Sequence, residues 1–199
     1  MALTRQHASA VESPAPSGPH AADELAWTAL LERHRAGDAT ALNRLMLGLY
    51  PSIRRIVFRL AGARRRDVHE DLVQSALEQV WRSIDSFEGR ARFSSFVFGI
   101  CHRVVTRAFR YDRVRSWYRR DAVLATSGDE PARADELLDH ARVVGQAREK
   151  LSRLGSDERA AFVMFEIEEL PLEEVAAVLR CSTRTVKRRL RSSRDKLLR

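Results

Sequence analysis

The sequence predicts an all-α protein made of two small helical domains joined by a flexible linker. Apolar residues recur at intervals of three and four along most of the chain, and no alternating strand pattern stands out. The 199 residues, 44% of them hydrophobic, suffice to bury a core in one domain or in two small ones. A charged, Ser/Gly/Pro-containing stretch from Arg113 to Asp135 is the natural place for the linker.

Residues 1–22, rich in Ala, Ser, Pro and His and without periodicity, are expected to form a disordered tail. Helices are expected over 23–35, 39–61 with a bend at Pro51, 67–84 and 92–110, making a first domain of residues 23–113. Residues 114–134 are the expected linker. Further helices over 135–153, 156–168, 172–179 and 183–198 make a second domain of residues 135–199.

The second domain ends in a helix–turn–helix pattern. Pro171 suits the start of a helix, Glu173 and Glu174 favour its N-terminal dipole, and Val175, Ala176, Val178 and Leu179 supply its apolar face. After the turn at Arg180 and Cys181, Ser182 is placed to cap the next helix. On that helix Val186, Leu190, Ser193 and Leu197 share one face, and Arg184, Lys187, Arg188 and Arg191 share the opposite one. Seven Arg and Lys residues between 184 and 196 face a single acid, Asp195, and such crowding destabilises a helix unless an anion neutralises it. A solvated face explains most charge runs, but this excess points to nucleic acid. The second helix of such a motif enters the major groove, where Arg bonds guanine bidentately and other donors hold phosphates. The net charge of +8 agrees with an anionic partner.

In the first domain Val73, Ala76, Leu77, Val80 and Ile84 form the buried stripe of one helix, leaving Asp71, Gln74 and Glu78 on its outer face. A loop from Asp85 to Arg92 follows, then a helix with Phe93, Phe96, Val97, Ile100 and Val104 directed inward. Phe93 and Phe96 are expected in the core, because aromatics at helical spacing usually pack inside.

Catalytic motifs are missing: there is no phosphate-binding glycine loop, no nucleophile elbow, no H-E-x-x-H and no G-x-G-x-x-G. The six histidines show no ligand spacing. No enzyme activity, cofactor or metal is therefore expected. Cys101 and Cys181 are expected to be buried free thiols. No run is long enough to span a bilayer and the N-terminus lacks the apolar core of a signal peptide, so no membrane insertion and a cytoplasmic location are expected.

The pattern D-L-V-Q…V-W…F-x-G-x-A-x-F-S…I, from Asp71 onward, followed by L-P-L-E-E-V-A…C-S-x-x-T-V-K-x-R-L, resembles RNA polymerase sigma factors of the extracytoplasmic-function (ECF) group of the sigma-70 superfamily. The resemblance covers roughly residues 39–113 and 135–198. It implies sigma region 2 joined to sigma region 4, core RNA polymerase and promoter DNA as partners, and control by an anti-sigma factor. It implies that Asp71, Gln74 and Glu78 dock on polymerase. Phe87, Arg90, Arg92, Phe98, His102 and Arg103 would serve the minus-10 element, where an opened strand is held by aromatic and cationic groups. Ser182, Thr183, Arg184, Thr185, Lys187, Arg188, Arg191 and Arg194 would serve the minus-35 element. Many relatives carry Trp at Phe96, Asn at Arg103 and Gly at Arg180, and the last departure matters only if that position needs a positive φ. The alternative is a conventional helix–turn–helix regulator that binds operator DNA without being a polymerase subunit.

Overall fold

The computed structural model of the protein describes residues 21–62, 68–118, 145–147 and 149–198, with 21 and 111–118 described as backbone only. The expected tail, most of the expected linker and the start of the helix expected over 135–153 lie outside these residues. The described residues contain helices and turns and no strand.

The first helix, α1 (Ala21–Arg35), opens with Asp23 and Glu24 and closes with Arg33, His34 and Arg35, a charge order that matches its dipole. The chain reverses at Gly37, whose φ of +92° is one that glycine adopts without strain. Asp38 then accepts hydrogen bonds from the backbone amide and hydroxyl of Thr40 at 2.9 and 2.8 Å. Those bonds, with Arg33, lower its pKa to about 2.

Helix α2 (Ala41–Ala61) buries Leu45, Leu49, Ile53, Ile56, Val57 and Leu60, and it continues through Pro51 as a single element. It ends at Gly62, where the buried His69 donates from Nε2 to the Gly62 carbonyl at 3.1 Å and packs edge-on against Phe58. Helix α3 (His69–Ser83) runs back along α2 with Leu72, Val73, Ala76 and Val80 buried.

After a short 3-10 turn (Ile84–Ser86), α4 (Phe93–Tyr118) crosses both α2 and α3. Its first two amides, those of Phe93 and Ser94, donate to the carboxylate of Glu24, the Ser94 amide at 2.9 Å. A buried acid on α1 thus satisfies donors that a helix start leaves open. Helix α4 extends beyond its expected end at Arg110 into the expected linker, because no Gly or Pro interrupts the chain before Gly128.

In the second unit, α5 (Ser156–Phe162) begins where Glu158 reaches back to the Gly155 amide at 3.1 Å. The helix expected through residue 168 instead widens into a π turn over Val163–Ile167, closed by Glu168 N–H to Val163 O at 2.9 Å. Helices α6 (Leu172–Val178) and α7 (Thr183–Leu197) form the helix–turn–helix, packed together and, through α7, on α5.

The turn between α6 and α7 has two characteristic bonds: Cys181 N–H to Ala176 O at 3.0 Å and Arg180 N–H to Ala177 O at 3.2 Å. They define a Schellman ending with Arg180 at the left-handed position, φ +49°. Arg180 therefore occupies a turn that favours glycine.

The two units pack directly on each other, α4 against α6 and α2 against α5, and their buried apolar residues form one continuous cluster. Cys101 lies within it, where burial pushes its thiol pKa up to about 12 and keeps it protonated and unreactive. Cys181 is only half-buried and accepts a hydrogen bond from Arg189 at 3.4 Å, a smaller degree of burial than its sequence neighbours imply.

Candidate nucleic-acid interface

Helix α7 is held from behind and charged in front. Val186, Leu190 and Ser193 are buried against α5 and α6, and the Ser182 hydroxyl caps the helix by accepting from Thr185 N at 3.2 Å. Ser193 Oγ donates to the Glu158 and Arg189 carbonyls at 3.2 and 2.8 Å. This fixes the rotation of α7 and turns Arg184, Lys187, Arg188 and Arg191 outward, where with Thr185 they line a shallow open hollow. None of these four cations makes an ion pair among the described residues.

The other cations of α7 are neutralised by acids distant in sequence. Arg189 pairs with Asp157, Arg194 with Glu166 through Nε at 3.0 Å, and Lys196 with Glu158 at 2.8 and 2.6 Å. Lys196, with Ser192 and the Gly155 amide, lowers the pKa of Glu158 despite its partial burial. Arg194, expected among the DNA contacts, is thus engaged inside the second unit, whereas Thr183 and Thr185 lie half-buried at the start of the helix.

Three of the candidates for the opened strand, Phe87, Arg90 and Arg103, line a groove between the two units. Phe87, Arg90, Phe96, Gly99 and Arg103 form one wall, and Glu173, Glu174, Ala177, Val178 and Arg180 form the other. Phe87 lies 5.1 Å from Phe93 and 5.2 Å from Phe96, centroid to centroid, so the groove floor is aromatic. Phe93 is in the core as expected, while Phe96 is half-buried and borders the groove. Arg90 stands 84% exposed beside Glu88.

Three candidates lie away from the groove. Phe98 is 1% exposed, packed in the core and unavailable to a strand in this arrangement. The reason is that α4 is covered on two sides, by α2 and α3 and by α6, so Val97, Phe98, Ile100 and Cys101 are all buried. Arg92, 9% exposed, faces Glu174 at 3.9 Å instead of solvent. His102 is half-buried, 3.4 Å from the Thr106 hydroxyl, and burial lowers its pKa, opposed by Asp157 and reinforced by Arg103 and Arg189.

On α3, Asp71, Gln74 and Glu78 are exposed along one stripe, with Glu78 also bonded to Arg82 at 2.5 Å. Trp81, three residues beyond Glu78, is 56% exposed and extends that stripe with an aromatic surface. Its position was visible in the helical spacing, as was that of Glu173 and Glu174 at the head of α6. What no spacing reveals is that the latter pair faces the groove.

A helix–turn–helix with an unpaired cationic face, carried beside a separate helical unit with an aromatic and cationic groove, defines a DNA-binding protein of promoter-recognition type. Residues 45–115 match the family model for sigma-70 region 2 and residues 145–197 that for sigma-70 region 4, together more than half of the chain. The chain belongs to the ECF group of the sigma-70 family of RNA polymerase sigma factors. It is 26% identical over 152 residues to the ECF RNA polymerase sigma factor EcfG of Rhodopseudomonas palustris, covering 76% of this chain and 80% of that one. It is 27% identical over 185 residues to the ECF RNA polymerase sigma-E factor of Escherichia coli K12, covering 87% and 93%.

The fold is similar to that of the sigma factor RpoE in its complex with the anti-sigma factor NepR from Bartonella quintana. That match has a TM-score of 0.66 at 23% identity and covers 80% of this chain and 95% of that one. It is also similar to CnrH in complex with the cytosolic domain of CnrY, TM-score 0.55 at 22% identity, covering 88% and 94%.

The protein is thus a promoter-recognising sigma factor, and the reading as a conventional operator-binding regulator is not favoured. The family consists of sigma factors, which are not enzymes. No described helix is long and apolar enough to cross a membrane.

Proposed function

We propose that this sigma factor divides promoter recognition between its two units, the first containing α4 as far as Tyr118 and the second carrying the helix–turn–helix. Arg184, Lys187, Arg188 and Arg191 enter the major groove of the minus-35 element, with Ser182, Thr183 and Thr185 holding the adjacent backbone. Phe87, Arg90, Arg92, His102 and Arg103 hold the opened minus-10 strand. Asp71, Gln74 and Glu78, extended by Trp81, dock on core RNA polymerase. The observation that carries this reading is the set of four outward cations of α7 without acidic partners among the described residues, on a helix whose rotation is fixed from behind.

The fold also resembles that of a sigma factor solved with an anti-sigma factor, and a protein inhibitor of that kind is proposed for this chain. Its recovery with the protein from unstressed cells is the expected result of affinity purification; its absence would count against it.

Run-off transcription with purified core RNA polymerase on a genomic promoter library tests the main reading. Transcripts are expected to require the protein and to fall with Asp71→Ala/Gln74→Ala. If no start sites arise although the protein binds duplex DNA alone, the polymerase-dependent reading fails.

A further inference from the structure

Glu24, Trp27, Leu31 and Arg35 recur along α1 at intervals of three and four, so they share one stripe of the helix. Trp27 and Leu31, 6% and 2% exposed, bury the middle of that stripe, and a charged residue stands near each end.

Both ends reach the loop between the 3-10 turn and α4. The carboxylate of Glu24 accepts the Phe93 and Ser94 amides, where the loop enters α4. About three turns further along α1, the Arg35 guanidinium donates to the Phe87 carbonyl, where the loop begins, and His34 Nε2 stands 3.4 Å from the Asp85 carboxylate. Trp27 meets Phe93 edge-on at 6.5 Å between centroids, and Phe93 meets Phe87 at 5.1 Å, so the same helix also supports the aromatic floor of the groove.

Between those two attachments the tip of the loop faces outward. Glu88 and Arg90 pair with each other, 61% and 84% exposed, and Gly89 turns the chain at a φ of +75° with open space beside it. Segments with few buried contacts open locally at small free-energy cost, so the geometry of this tip is set by where its ends are fixed. Arg35 holds the backbone of the residue whose ring forms the floor, without itself lining the groove.

We propose that α1 acts as a splint for the minus-10 loop, with Arg35 as a positioning residue that fixes Phe87 and Arg90 for the incoming strand and so sets the base preference there. The proposal rests on the assignment of Phe87 and Arg90 to the minus-10 strand. If release of the Phe87 carbonyl leaves the loop in its competent geometry about one tenth of the time, apparent affinity falls about tenfold. That fold-change equals about 1.4 kcal/mol, near the lower end of what a hydrogen bond to a charged group contributes.

The test compares Arg35→Ala, Arg35→Lys and Phe87→Ala in the full chain assembled with core RNA polymerase. Once transcription has supplied a promoter, its labelled non-template minus-10 strand, the same strand with single-base changes, and the minus-35 duplex serve as probes. Arg35→Ala is expected to bind the minus-10 strand about tenfold more weakly and to discriminate less between that strand and its variants. Its minus-35 duplex binding, and the melting temperature of the free protein, should stay near those of the parent, because Arg35 lies at the surface. Arg35→Lys, whose ammonium can still donate to the Phe87 carbonyl, should recover a large part of the loss.

Parental strand affinity and base preference in Arg35→Ala would overturn the proposal. So would a uniform loss across all strands that accompanies a lower melting temperature and is not restored by lysine, which would make Arg35 a support of the fold alone. Parental strand binding by Phe87→Ala would overturn the minus-10 assignment and the proposal with it, an outcome distinct from the failure of Arg35 alone.

Discussion

Replacing Arg180 by glycine should stabilise the protein although it deletes a charged side chain. Arg180 has a φ of +49° at the left-handed position of the α6 ending and makes no ion pair among the described residues. An L side chain in that conformation costs about 1–2 kcal/mol through the clash of Cβ with the following carbonyl. Glycine removes this clash but loses about 0.4–1 kcal/mol through the greater freedom of its unfolded chain. The balance is a gain of roughly 0.5–1 kcal/mol, or about 1–4 °C in melting temperature for a chain of this size. Arg180→Ala keeps the Cβ and removes the rest of the side chain with its charge, so its melting temperature should remain near that of the parent if the Cβ is the source of strain. Thermal unfolding of the three proteins followed by circular dichroism makes the comparison. If the alanine and glycine variants rise together, charge relief is the cause; if glycine lowers the melting temperature, the left-handed strain assigned to Arg180 is wrong.

Arg188→Ala should weaken binding to the minus-35 duplex by about 1–3 kcal/mol and relax its sequence preference, if Arg188 bonds a guanine edge. Lys187→Ala should chiefly flatten the salt dependence, by about one unit of slope, in titrations at several salt concentrations. Glu24→Ala should cost about 1–3 kcal/mol in urea unfolding, because it leaves the Phe93 and Ser94 amides without their acceptor; an unchanged midpoint would show that water replaces the carboxylate at no cost. For Glu158, bonded to Lys196, the folded pKa lies below the ordinary value of 4.5, so the unfolded chain binds the proton more readily. Its stabilising contribution is complete above 4.5 and is lost as pH falls through the folded value, and Glu158→Gln should flatten the acid limb of the stability profile. His102 is also lowered, from 6.5, chiefly by burial, among Asp157, Arg103 and Arg189. Acidification below 6.5 should therefore destabilise the packed state, and His102→Gln should reduce that dependence in unfolding measured across pH.

Much of the architecture was legible because it is local. The spacing of Val186, Leu190 and Ser193 places one face of α7 in the core, and Ser182 caps it as its position before the helix implies. The stripe on α3 is likewise written in three- and four-residue intervals, so Asp71, Gln74 and Glu78 are exposed together. The end of α4 was less legible, since charged residues accompany both linkers and solvent-facing helices, and the absence of Gly and Pro decides for helix as far as Tyr118. The π turn at Val163 has no such signal, because its residues are ordinary helix formers and the widening is visible only in the Glu168 N–H to Val163 O bond.

The charge pattern of the site required the fold. Seven cations against Asp195 on one short segment describe the sequence correctly, yet Asp157, Glu158 and Glu166 neutralise Arg189, Lys196 and Arg194 across the α5–α7 contact. What remains outward and without an ion pair among the described residues is a narrower and better-defined set: Arg184, Lys187, Arg188 and Arg191. The same long-range pairing explains why Arg92 and Phe98 could not be placed from their helix alone. Phe98 lies on a helix with two covered sides, and Arg92 meets a carboxylate far along the chain, beyond the expected linker. A cation suited to an anionic strand is equally suited to a carboxylate of the neighbouring unit, and the pattern of a single helix does not distinguish the two partners.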